Sequence, residues 1–176
     1  MAELARDTTW FEAMYRRNAA PILAYTQRRL PTPQDCEDVL LDVFATAWRR
    51  RHDMPADELP WLYATAANVI AHAARSSARR TRLDAKLATY EPVVTPDTDE
   101  QTIGALDART ALAQALQTLS DPDREVLQLW AWEGLDGNEL ATALGVNTGA
   151  ARTRLHRAKT RLRTAMTTTS TQGGTG

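Results

Sequence analysis

Residues 136–166 read DGNELATALGVNTGAARTRLHRAKTRLRTAM. Asp136 and Glu139 stand at capping-box spacing, so a helix opens there. Gly145 closes it, because glycine takes a left-handed C-terminal turn at no Cβ penalty. Asn147 then suits the N-cap of a longer helix, Thr148 to about Met166. A short helix, a glycine turn and a longer basic helix make a helix-turn-helix.

The longer helix sorts its side chains by face. Ala151, Leu155, Ala158, Leu162 and Met166 recur at helical spacing as an apolar stripe. Arg152, His156, Lys159 and Arg163 form an adjacent stripe, with Thr153, Arg157 and Thr160 further round. One face packs and the rest presents donors. In a helix-turn-helix the N-terminal half of the second helix meets base edges, which makes Arg152, Thr153, His156 and Arg157 the base-reading candidates. Arg154, Lys159, Arg161 and Arg163 fit phosphates better. The blander reading, a solvated basic helix, leaves the short helix and glycine turn ahead of it unexplained.

Upstream of this motif the pattern stays helical. One segment starts near Thr102 and carries Ile103, Leu106, Leu112, Leu116 and Leu119. Asp121-Pro122 is expected to cap the next, with Val126, Leu127, Leu129 and Trp130 as its apolar positions. Residues 91–101 hold two prolines and four acids without apolar periodicity, and read as an interdomain linker. Downstream, residues 167–176 are Thr/Gly-rich and read as a disordered tail.

The first half is also helical. A segment beginning near Thr8 or Thr9 carries Trp10, Phe11, Met14 and Tyr15, and Pro21 is expected to open a second helix. Thr32 suits an N-cap with Pro33 at the first helical position of a helix to about Arg51. On it Val39, Leu40, Val43, Phe44, Ala47 and Trp48 share one arc of about 180°. Asp35, Asp38, Asp42 and Arg49 fall on the opposite face. Cys36 projects into the apolar arc and reads as a small buried hydrophobe. Pro60 opens a helix to about Arg80, on which Trp61, Thr65, Asn68, His72, Arg75 and Arg79 lie within about 80° of one another. Leu62, Ala66, Val69, Ile70 and Ala73 make its packing face. An aromatic, an amide, an imidazole and two guanidiniums in line suit single-stranded or melted nucleic acid. The same residues also fit a core Trp61 beside a plain surface stripe.

The fold class expected is all-α, with two small helical domains joined by a flexible acidic linker. The domains are 1–90 and 102–166, the linker 91–101.

Charge distribution agrees with nucleic-acid contact better than net charge does. The net charge is −1. Residues 148–163 nevertheless carry six basic side chains and no acid, and residues 75–86 carry five against Asp84 alone. Residues 91–107 carry five acids and no base. Two basic segments flanking an acidic stretch point to two places where phosphates are met.

At this point a family resemblance is carried by three motifs in order. Cys36-Glu-Asp-Val-Leu-Leu-Asp-Val-Phe-Ala-Thr-Ala-Trp48 resembles the core-binding helix of extracytoplasmic-function sigma factors of the sigma-70 family. Trp61-Leu-Tyr-Ala-Thr-Ala-Ala-Asn68 resembles their promoter-melting, minus-ten-reading segment. Leu119-Ser-Asp-Pro-Asp-Arg-Glu-Val-Leu127 and Gly145 to Ala158 resemble their minus-thirty-five-reading domain. The resemblance spans roughly residues 8–166 and implies an alternative sigma factor that directs RNA polymerase core to promoter DNA and helps melt it. It implies polymerase docking through Asp35, Asp38, Leu41, Asp42 and Arg49. It implies minus-ten contact through Trp61, Thr65, Asn68, His72, Arg75 and Arg79, and minus-thirty-five contact through Arg152, Thr153, Arg154, His156, Arg157, Lys159, Arg161 and Arg163. An anti-sigma factor covering the same surfaces is implied too. Three positions depart from the family pattern: Leu41 stands where Gln is frequent, Ala150-Ala151 replaces Thr-Val, and His72 replaces Asp or Asn.

Other classes are disfavoured by composition. No Gly-rich phosphate loop, metal-ligand spacing or nucleophile–base pair is found, so no enzyme activity, cofactor, metal or small-molecule substrate is expected. One cysteine excludes an internal disulfide. No apolar run reaches membrane-spanning length and no signal peptide is visible, so the chain reads as cytoplasmic without membrane insertion. A stand-alone helix-turn-helix regulator of duplex DNA is the alternative, though the first half offers no ligand-pocket signal for one.

Overall fold

The computed structural model describes residues 6–83 and 103–172, with side chains placed over 6–75 and 110–167. Seven helices and no strand occur among them. They are α1 (Thr8–Gln27), α2 (Pro33–Arg49), α3 (Glu58–Leu83), α4 (Ile103–Gln117), α5 (Asp121–Ala131), α6 (Gly137–Leu144) and α7 (Thr148–Gln172). The chain divides into two compact units, Met1–Val93 and Val94–Gly176. The fold is therefore all-α with two helical units, as expected. The acidic stretch 91–101 lies outside the described residues. No helix among the described residues is long and apolar enough to cross a membrane.

In the first unit α1, α2 and α3 pack pairwise on one core. Met14, Ile22 and Tyr25 come from α1; Cys36, Val39, Val43, Phe44 and Ala47 from α2; Leu62, Tyr63 and Ala66 from α3. Cys36 is buried, as the apolar arc requires. The edge is aromatic: Phe11 and Trp48 meet with centroids 5.2 Å apart, and Tyr15 and Phe44 at 4.7 Å.

Pro21 does not begin a helix. It sits inside α1, which runs unbroken through it. A helix-interior proline costs about 3 kcal/mol of lost hydrogen bonding and crowding. The buried row Met14, Asn18, Ile22, Tyr25 and Thr26 continues on both sides of it, and burying a large apolar side chain of this row returns about 1.5–3 kcal/mol. Asn18, 6% exposed, fixes α1 to the start of α3. Its amide donates to the Met14 carbonyl at 2.9 Å and to Glu58 Oε2 at 3.2 Å. Arg17 donates to both Glu58 oxygens, at 3.1 and 3.0 Å. Thr32 caps α2, with Asp35 N–H donating to its hydroxyl at 3.1 Å.

In the second unit α7 packs on α4, α5 and α6 in turn. Val126, Leu129, Leu140, Ala151 and Ala158 are its most deeply buried apolar positions from α5, α6 and α7. Ser120, and not Asp121, is the N-cap of α5: Asp121 and Pro122 already lie inside the helix, and the Ser120 oxygen accepts from Asp123 N–H at 3.4 Å. Arg124 closes the end of α4, donating to the carbonyls of Leu116 at 3.1 Å and Leu119 at 3.0 Å.

The turn between α6 and α7 follows its sequence signals. Glu139 accepts from Asp136 N–H at 3.3 Å, and Gly145 is left-handed at φ 64°. Asn147 accepts from Ala150 N–H at 2.8 Å. At its other end α7 continues to Gln172, past the expected stop near Met166 and through part of the expected tail. Propagating a formed helix adds a hydrogen bond per residue fixed. The helix continues despite its threonines, which are poor helix formers and turn back on the preceding carbonyls: Thr164 donates to Thr160 O at 3.1 Å and Thr167 to Thr164 O at 2.8 Å.

Candidate nucleic-acid interface

Two surfaces gather the residues that the sequence singled out, one on each unit. The first is a groove between α2 and α3. Asp35, Asp38, Asp42, Thr46 and Arg49 line one wall, and Trp61, Thr65, Asn68, Val69 and His72 the other. The sequence assigned these two sets to separate tasks on separate helices. The packing of α2 against α3 turns both into one cleft.

The groove residues are not equivalent. Thr65 is 9% exposed and its hydroxyl donates to the Trp61 carbonyl at 2.9 Å, so it packs and presents little. Asn68 and His72 are exposed or nearly so, and Trp61 is half-buried. Asn68 makes no hydrogen bond within the described residues, so its donor and acceptor both remain open. Arg75 is exposed beyond the groove, and the Arg79 side chain lies outside the described residues. Val69 and Ile70 are only partly covered and Ala73 is exposed, so the packing face of α3 thins beyond Ala66.

On α2, two of the polar residues are committed locally. Asp35 accepts from the Thr32 hydroxyl at 2.6 Å, and Arg49 donates to Thr46 at 2.9 Å. Asp38 accepts from Gln34 at 3.1 Å, while Asp42 makes no such bond. Leu41 does not join the groove lining and is 64% exposed.

The second surface is α7. Arg152, Thr153, Arg154, His156, Arg157, Arg161 and Arg163 are all exposed, while Ala151 and Ala158 are buried. Thr153 donates back to Gly149 O at 2.9 Å, which leaves its oxygen as an acceptor. The cations divide. Arg152, Arg154 and Arg157 pair with no described acid. Arg161 donates to the Asp123 carboxylate, and Lys159 Nζ sits 3.4 Å from the centre of the Trp130 ring. Burial of Asp123 works against its charge, but the Ser120 hydroxyl and the Arg161 guanidinium outweigh it and hold this carboxyl below its ordinary value.

Sequence reasoning missed Asp123, Trp130 and Asn138 as partners of α7. Asp123 was the most legible, since Ser120 and Asp123 stand at capping-box spacing. Asn138 accepts from the Thr148 hydroxyl at 2.8 Å across the turn, a contact with no sequence signal of its own.

The comparisons with known proteins cover both surfaces. The family model for sigma-70 region 2 matches residues 14–80, and the one for sigma-70 region 4 matches 109–162. RNA polymerase sigma factor CarQ of Myxococcus xanthus is 31% identical over 155 residues, 87% of this chain and 87% of that protein. ECF RNA polymerase sigma factor SigL of Mycobacterium tuberculosis is 29% identical over 164 residues, 90% of each. Among solved structures, the sigma factor RpoE of Bartonella quintana, in complex with the anti-sigma factor NepR, superposes with a TM-score of 0.66. It is 18% identical, over 89% of this chain and 96% of that one, a likeness of fold.

Proposed function

The chain belongs to the sigma-70 family, in its extracytoplasmic-function group, and from that premise we propose how its two units divide the work of an alternative sigma factor of RNA polymerase. The second unit reads the upstream promoter element. Arg152, Thr153, His156 and Arg157 meet base edges in the major groove, and Arg154 and Arg163 meet phosphates, with Lys159 and Arg161 between them tied to α5. The observation that carries this is that Arg152, Arg154 and Arg157, on the exposed first half of α7, have no acid partner among the described residues. Guanidiniums not committed to a described acid can offer their donors to guanine edges and phosphates.

The first unit docks on the polymerase and captures the melted downstream element. Leu41 and the acids Asp38 and Asp42 form the docking side of α2. Trp61, Asn68 and His72 receive unpaired bases, and Arg75 and Arg79 meet the backbone. The shared groove constrains how a strand enters. Asp35, Asp38 and Asp42 repel phosphates, so a strand enters bases first with its phosphates turned outward. Capturing a flipped base offsets an unstacking cost of a few kcal/mol.

The role is one of binding, carried out in the cytoplasm beside the polymerase, with no bond made or broken by the chain. An anti-sigma factor is its proposed regulator, by analogy with the Bartonella quintana complex.

Co-purification with core RNA polymerase, followed by transcription from a promoter library, tests the reading. The expected result is a stoichiometric holoenzyme that initiates from a narrow promoter class. Tight sequence-specific duplex binding by the chain alone, with no affinity for core polymerase, would instead make it a stand-alone regulator.

A further inference from the structure

Lys159 and Arg161 stand two residues apart on α7, so they leave the helix about 200° apart around its axis. Each meets a different side chain of α5. On one flank the Arg161 guanidinium donates to the Asp123 carboxylate. Asp123 is 8% exposed and held in place, because Ser120 donates to its Oδ2 at 2.8 Å. On the other flank the Lys159 ammonium lies over the Trp130 ring. Helix α5 thus grips α7 from two sides near its midpoint. The proximal half has no such grip: Arg152, Arg154 and Arg157 project without internal partners among the described residues.

These contacts change what a passing duplex feels. A cation in contact with a fixed carboxylate offers a phosphate the field of a dipole, which falls off faster than that of a lone charge. A lysine held against an indole face must leave it to reach a phosphate. Sequence-blind DNA affinity scales with the number of phosphates neutralised. On the reading that α7 is the duplex-binding helix, we infer that Asp123 and Trp130 are positioning residues that hold Arg161 and Lys159 back from the DNA backbone and so limit the sequence-blind affinity of this helix. Base contacts from the proximal half then carry a larger share of binding, and the free chain is not retained on bulk DNA.

The full-length chain, titrated onto a mixed-sequence duplex between about 50 and 200 mM salt, tests this. Asp123→Asn keeps an acceptor for Ser120 but removes the charge. It tightens binding at low salt and steepens the plot of log affinity against log salt by about 0.9, the increment for one more neutralised phosphate. Trp130→Leu, at a position already 41% exposed, steepens it likewise. Arg161→Gln alone leaves the wild-type slope, and adding it to Asp123→Asn restores that slope. A purely structural tie leaves the slope unchanged in Asp123→Asn and in Trp130→Leu, and that result overturns the inference. So does a flattened slope in Arg161→Gln, which means Arg161 meets a phosphate already. Arg157→Ala separates the two levels. If it leaves DNA binding intact, α7 is not the duplex-binding helix and the proposed function fails with the inference; if it weakens binding while Asp123→Asn does not steepen the slope, only the inference fails.

Discussion

The Thr148 hydroxyl donates to the Asn138 side-chain oxygen at 2.8 Å, joining the first turn of α7 to the first turn of α6 across ten residues. The bond is exposed to solvent, so it adds little to stability, about 0.5–1.5 kcal/mol. Its value lies in fixing where α7 begins relative to α6. Asn138→Ala should lower the melting temperature slightly and promoter affinity several-fold, because Arg152 and Thr153 follow within about a turn of Thr148. A double-mutant cycle with Thr148→Ala, read by holoenzyme binding, should show the two losses to be non-additive.

Along α7 the two classes of contact predict two classes of defect. Arg152→Ala and Arg157→Ala should each cost about 1–3 kcal/mol of binding and relax preference at particular base pairs. Arg154→Ala or Arg163→Ala should weaken binding evenly across sequences and reduce the salt slope by about 1. Holoenzyme affinities on a set of single-base promoter variants distinguish the two. Equal, sequence-blind losses in all four variants refute the base-reading assignment.

Asp123 makes stability depend on acid. Its carboxyl titrates lower in the folded chain than in the unfolded one, because Ser120 and Arg161 together outweigh the cost of burying it. Its stabilising contribution is therefore complete above the unfolded value of about 3.9 and is lost as pH falls through the folded value. Wild type should melt higher than Asp123→Asn at neutral pH, and the gap should close below about pH 4. A gap that persists into acid shows that the difference comes from packing and not from charge.

What the sequence disclosed, and what it hid, follows the range of each interaction. Thr32 with Pro33, Asp136 with Glu139, Gly145 and Asn147 all act within one turn of themselves, so helix ends and the helix-turn-helix were legible. Pro21 misled for the same reason. Its local signal says helix start, whereas the row from Met14 to Thr26 is held together by burial against α2 and α3. Ser120 was passed over because Asp121-Pro122 beside it also reads as a cap. The α2–α3 groove could not be read from either helix alone: the facing of Asp42 and Asn68 is set by how two amphipathic helices pack. The Asp123–Arg161 tie spans 38 residues, beyond any periodicity.

Docking on the polymerase is expected to rest on α2. Leu41 contributes an exposed apolar side chain there, and Asp42 an acid with no hydrogen-bond partner among the described residues. Leu41→Ala should leave the fold intact, since surface changes stay within about 0.5 kcal/mol. Burying a leucine at an interface contributes about 1.5–3 kcal/mol, so core affinity should fall about tenfold or more. Asp38→Lys and Asp42→Lys should weaken core binding while helical content stays native. Unchanged core affinity in all three variants removes α2 as the docking helix.

The last prediction concerns Asn68. Its amide lines the groove with Trp61 and His72, one turn beyond the packed Thr65. Because it makes no hydrogen bond of its own within the described residues, both its donor and its acceptor are available to the edge of an extruded base. The competing view, that it is only a solvated helix residue, makes a different forecast. Alanine has the higher helix propensity, so on that view Asn68→Ala is silent or slightly stabilising in every assay. On the base-capture view the same variant folds normally, binds core polymerase and recognises the upstream element, yet forms open complexes slowly. A template already mismatched across the downstream element should restore part of its activity, since unpairing no longer has to be driven by capture. The measurement is the rate of open-complex formation on paired and mismatched templates. A wild-type rate on the fully paired promoter would show that Asn68 captures no base.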